Sequence, residues 1–92
     1  MIARRIVVQG RVQGVGYRDA AVQVAFAIGV HGWVRNRGDG SVEAFAQGNE
    51  DGVARFVEWC RSGPPLARVA TVDAREAHVD LALRDFSWRP TE

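Results

Sequence analysis

The sequence predicts an α+β fold of two layers, a β-sheet with two helices on one of its faces. Three observations carry this prediction. Two segments have the length and end signals of helices, the second with a helical apolar stripe as well. Five shorter segments rich in β-branched and aromatic residues read as strands. The order along the chain is strand, helix, strand, strand, helix, strand, with one more strand at the end. Ninety-two residues are enough for one core and too few for two, so a single domain over 1–92 is expected.

Arg5–Gly10 reads as the first strand, with Ile6, Val8 and Val12 on one face by the two-residue period. Gly10, Gly14 and Gly16 then make a turn. Asp19–Ile28 is mostly Ala and Val, so periodicity alone does not decide it. Its length, its alanines, Asp19 in the first turn and Gly29 just past the end favour a helix. Val30–Asn36 and Ser41–Gln47 read as strands two and three, joined by a tight hairpin signalled by Asp39-Gly40. In the third strand Val42, Ala44 and Ala46 alternate with Glu43, Phe45 and Gln47. The second helix is capped by Asn49, with Glu50 and Asp51 at the positive end of its dipole. Val53, Phe56, Val57 and Cys60 form its apolar stripe, and Gly63-Pro64-Pro65 stops it after Arg61. Val69–Ala77 reads as strand four, and Leu83–Arg89 as strand five with Phe86 and Trp88 on one face. This βαββαβ order is the ferredoxin-like two-layer sandwich, with an antiparallel sheet, both helices on one face and the other face open. The fold hosts many functions and decides none of them.

Composition narrows the function classes. Net charge is +1, from 12 basic residues, all arginine and scattered, against 11 acidic ones. That provides no broad field for nucleic acid. No apolar run approaches the roughly 18 residues of a membrane span. A single cysteine, Cys60, cannot form an internal disulfide. The stretch Met1–Gln9 holds only a three-residue apolar run and is no secretory leader. The expectation is a cytoplasmic monomer without nucleic-acid or membrane partners.

Residues 10–18 read G-R-V-Q-G-V-G-Y-R between the first strand and the first helix. Such a turn lets successive backbone N–H groups point into one concavity, and the following helix adds its unpaired N–H groups and positive dipole end. Arg18, where the helix begins, can fork onto the same anion. Better-known patterns fail: the dinucleotide fingerprint lacks its third glycine, no Gly-Lys-Ser/Thr follows, and the turn holds no cysteine nucleophile. An anion cradle without a nucleophile and a plain strand-to-helix connection both fit these residues.

Asn36 ends strand two at the hairpin. Its amide can donate and accept, which suits it to hold a water molecule, although Asn before a tight turn also serves the turn itself.

Taken together, the two segments resemble the acylphosphatase family. Gly10-Arg11-Val12-Gln13-Gly14-Val15-Gly16-Tyr17-Arg18 is similar to its phosphate-loop signature. Gly32-Trp33-Val34-Arg35-Asn36, followed by Gly40, Val42 and Gly48, is similar to its second signature, and Gly63-Pro64-Pro65 also fits. The resemblance runs from about residue 4 to residue 89, and only the tail Trp88–Glu92 is less typical. It implies that Arg18 binds phosphate with the backbone N–H groups of Gln13, Gly14, Val15, Gly16, Tyr17 and Arg18 itself. It further implies that Asn36 positions the attacking water. The implied reaction converts a small acyl phosphate into a carboxylate and inorganic phosphate, the latter also an inhibitor, with no metal and no cofactor.

A non-catalytic anion-binding or regulatory module of the same fold is the alternative, and an RNA-binding sheet is a third class. The RNA reading lacks the stacking-aromatic pattern with its Lys/Arg-Gly lead-in. His31 and His78 have no partners at metal-ligand spacing and are expected as half-exposed strand residues. Cys60 belongs to a helix stripe and is expected in the core. The Arg37-Gly38-Asp39 tripeptide is hairpin chemistry. Trp33 is expected on the open sheet face near the site, and Tyr17 packed under the loop, both in support roles.

Overall fold

A computed structural model describes all 92 residues. The elements are β1 (Ile2–Arg11), α1 (Tyr17–Ile28), β2 (His31–Asn36), β3 (Val42–Gly48), α2 (Glu50–Cys60), β4 (Arg68–Ala77) and β5 (Phe86–Arg89). They form one five-stranded sheet in the order β4-β1-β3-β2-β5. The ferredoxin-like arrangement is therefore present. No helix is long and apolar enough to cross a membrane.

Both helices pack on one face. Ala21 and Ala25 of α1, one turn apart, are fully buried, and their small side chains let the helix approach the sheet closely. From α2, Val53, Phe56 and Cys60 enter the same core. Ile6 and Val8 of β1, Val34 of β2 and Val42, Ala44 and Ala46 of β3 meet them from the sheet. Phe56, packed on Trp59 and Phe86, is the largest fully buried side chain. Its truncation to Ala would cost about 3–5 kcal/mol.

The caps follow the sequence. The Asn49 side chain accepts from the Gly52 N–H at 2.6 Å, and Gly29 turns left-handed to end α1, its N–H bonded to the Ala25 carbonyl at 2.8 Å. In the hairpin, the Asp39 carboxylate accepts from both the N–H and the hydroxyl of Ser41.

Three expectations are corrected. The sheet is mixed: β5 runs parallel to β2, pairing Gly32 with Phe86 through Arg35 with Arg89. The chain leaves β4 at one edge and must cross the whole sheet to reach the other, arriving in the direction of β2. Second, β5 begins at Phe86, not Leu83, because residues 78–85 are spent on that crossing. Gln47 anchors the crossing like a strand partner, its side chain donating to the Asp80 carbonyl and accepting from the Asp80 N–H, both at 2.8 Å.

Third, the face away from the helices is not open at its centre. Glu43, Phe45 and Gln47 of β3 are all buried there. Phe45 stacks on Trp33, with Ala3 beneath and Ala77, Val79 and Leu83 packed over the pair. The Glu43 carboxylate accepts from the Arg5 Nε at 2.6 Å and the Arg35 Nε at 2.8 Å. Burial opposes ionisation of Glu43, but the hydrogen bonds from Arg35 and Arg5 outweigh it and hold the carboxyl below the usual carboxylate range. His31 lies exposed on β2, and His78 lies exposed just beyond β4 rather than on a strand.

Candidate active site

The site forms where β1 hands over to α1. Gly14 and Gly16 have φ of 73° and 80°, the left-handed region that favours glycine. A Cβ on either would meet no atom within 4 Å, so backbone conformation, not crowding, is what asks for glycine there. Gly16 is also the N-cap residue of α1, and no side chain caps that helix end. The N–H groups of residues 13–16 donate to no backbone carbonyl, and those of residues 17–19 fall in the first turn of α1, before its ladder begins with Ala20 bonding Gly16. The result is a run of unpaired donors at the positive end of a helix dipole.

A cavity of about 210 Å³ opens over this turn. It is lined by Val12, Gly14, Gly16, Tyr17, Arg18 and Asp19 on one side and by Asn36 and Trp88 on the other. Asn36 is half-buried, on the helix-facing side of β2 two residues after the fully buried Val34. Its backbone carbonyl accepts from the Glu92 N–H at 3.1 Å, and the bonds of the neighbouring hairpin leave its side-chain amide free. The Arg18 guanidinium stacks on Trp88, Cζ lying 4.8 Å from the ring centroid, and one Nη1 hydrogen bond of 3.2 Å reaches the Arg89 carbonyl. One of its five donors is thus engaged, leaving the others to an anion.

The expected residues do not all behave alike. Gly14, Gly16, Tyr17, Arg18 and Asn36 share the cavity, while Gln13 and Val15 do not line it. Gln13 instead turns its amide to the hairpin, donating to the Arg37 carbonyl at 2.8 Å and the Ser41 carbonyl at 2.9 Å. It thereby ties the glycine turn to the strand end that carries Asn36. Val15 is half-buried and packs against the main core. Tyr17 packs below the loop, 3% exposed, its hydroxyl donating to the Cys60 carbonyl at 2.7 Å.

Trp33 is on the face away from the helices, as read, but not at the cavity. It stacks on Phe45 and is ringed by Arg5, Arg35 and Arg89. The tryptophan at the cavity is Trp88, and its place beside Phe86 on one face of β5 is the signal the sequence offers. Asp19, which the sequence marks as a first-turn acid of α1, also lines the cavity.

The fold and this cavity define a ferredoxin-like α/β sandwich with an N–H-lined, arginine-edged hollow at the β1–α1 turn. The family model for acylphosphatase matches residues 4–88. The chain is 48% identical over 86 residues to Acylphosphatase 2 of Ralstonia nicotianae, covering 94% of this chain and 90% of that protein. It superposes on the acylphosphatase of Bacillus subtilis with a TM-score of 0.92 at 38% identity, covering 97% of this chain and 99% of that one. It also superposes on full-length HypF in its phosphate- and nucleotide-bound form, with a TM-score of 0.88 at 27% identity. That match covers 98% of this chain but 12% of HypF. The chain belongs to the acylphosphatase family.

Proposed function

We propose that the chain hydrolyses acyl phosphates to a carboxylate and inorganic phosphate, with Arg18 and the turn N–H groups holding the phosphoryl oxygens and Asn36 holding the attacking water. The observation that carries the residue roles is the shared cavity: Arg18, Asn36 and the two left-handed glycines line one small hollow above a run of unpaired N–H groups. Gln13 and Val15 enter this reading through their backbone N–H groups alone.

The chemistry matches the donor set. A carboxylate leaves without being protonated, so the site need not supply an acid. The transition state is loose and spreads charge over the equatorial phosphoryl oxygens, where fixed N–H groups and a guanidinium act best. Asn36 has no proton to give or take at neutral pH, and its part is orientation: its amide carbonyl accepts from the water and aims it in line. The water proton passes to an oxygen of the substrate's own phosphate. No step calls for a metal or a cofactor. The substrate is a small molecule, and the protein acts as a cytoplasmic monomer in this reading.

The test is hydrolysis of benzoyl phosphate by the purified protein with chelator present, beside Arg18→Ala. Turnover that survives the chelator and vanishes in the variant is the expected result. Phosphate binding without turnover would move the assignment to the non-catalytic anion-binding module.

A further inference from the structure

We propose that Trp88 is the acyl-group contact of this site, making the enzyme selective for acyl phosphates with flat apolar acyl groups over acetyl phosphate. The proposal rests on Arg18 being the phosphate ligand.

Trp88 pairs in register with Val34, two residues before Asn36, which places it on the helix-facing side of β5 where the cavity opens. Arg18 covers part of its ring, yet Trp88 is still 52% exposed. Of the five large exposed hydrophobic residues, Trp88 alone lines this cavity. The other apolar lining residues, Val12 and Tyr17, are 1% and 3% exposed and offer almost no surface to a ligand.

Distance places the acyl group there. A phosphate forked onto a guanidinium lies in its plane, with phosphorus about 4 Å from Cζ. The indole is stacked over the same guanidinium with its centroid 4.8 Å from Cζ. The phosphorus then sits roughly 6 Å from the ring centroid, within reach of a substituent one or two bonds longer. A hollow of about 210 Å³ is below the range of small-molecule pockets, roughly 300–1,000 Å³, and takes a phosphoryl group rather than a whole substrate. The acyl group must therefore emerge at the rim, and the accessible apolar rim is the indole, whose ring offers either an offset-stacked or an edge-on contact.

The experiment measures kcat/KM on benzoyl phosphate and on acetyl phosphate for wild type, Trp88→Ala and Trp88→Phe. The expected result is that the benzoyl-to-acetyl ratio falls about tenfold in Trp88→Ala, chiefly through KM for benzoyl phosphate, and recovers to within about twofold in Trp88→Phe. An unchanged ratio in Trp88→Ala overturns the proposal, even if both rates drop together, since a common loss reports only the stacking that supports Arg18. Failure of the underlying assignment looks different: Arg18→Ala would then turn over both substrates like wild type.

Discussion

The Tyr17 hydroxyl donates to the Cys60 carbonyl at 2.7 Å, joining the first residue of α1 to the last residue of α2. The same Tyr17 ring packs at 5.2 Å from that of Trp59 and lines the floor of the cavity. One side chain therefore braces the helix end on which Arg18 sits. Replacing Tyr17 with Phe keeps the ring and removes the bond, leaving a buried carbonyl without its partner. A loss of about 1–3 kcal/mol in urea unfolding is expected, with phosphate inhibition little changed.

The alkaline side tests the burial of the same two residues. Burial pushes the Cys60 thiol up to about 12 and the Tyr17 hydroxyl well above its ordinary value. The folded state thus keeps protons that the unfolded chain releases from about pH 8.5 for Cys and about pH 10 for Tyr. Where the unfolded state binds fewer protons, stability falls as pH rises. The contribution is complete below about pH 8.5 and is lost upward at up to about 1.4 kcal/mol per pH unit for each group. Urea midpoints at pH 8, 9.5 and 10.5 should fall in that order. Cys60 should resist thiol reagents at pH 8 until the protein is unfolded, because the thiolate is the nucleophile.

Glu43 gives the opposite dependence. Its folded value is depressed, so its contribution is present above the unfolded value near pH 4.5 and is lost as pH falls through the folded one. Both arginines contribute, and solvent screens Arg5, with a 54% exposed side chain, more than Arg35, with a 22% exposed one. Glu43→Gln should cost about 1–3 kcal/mol at pH 7 and flatten the acid limb of the stability profile. An acid limb identical to wild type would refute this account.

Asn36 and Arg18 should separate kinetically. Asn36→Ala is expected to lower kcat on benzoyl phosphate by about 10²-fold while inhibition by inorganic phosphate stays within about twofold. Arg18→Ala should lose both, since in the proposed role each charge-assisted hydrogen bond to phosphate would be worth about 1.5–3 kcal/mol. Full turnover in Asn36→Ala would remove its water-positioning role.

Much of this was legible in the sequence because its signals are local. The glycine turn, the Asn49 cap, the hairpin aspartate and the α2 stripe each depend on residues a few positions apart. What escaped reading depends on residues brought together from afar. Alternation marks Glu43 as outward-facing, yet Arg5 from β1 and Arg35 from β2 cover it. The antiparallel expectation for β5 failed for a similar reason, since nothing within Phe86–Arg89 states which strand it joins. Gln13 is read as a backbone donor of the phosphate loop, and nothing local to it states that its side chain binds the hairpin carbonyls of Arg37 and Ser41.

The parallel pairing of β2 with β5 has a temporal consequence. Val34 and Trp88 are more than half the chain apart, and a contact of that separation closes a long loop before it returns any stabilisation. The helices and the β1–β3 pairing can mature from nearer contacts, but the wall that stacks on Arg18 arrives only when the last strand docks. Recovery of activity after dilution from denaturant is therefore expected to lag behind recovery of helical structure.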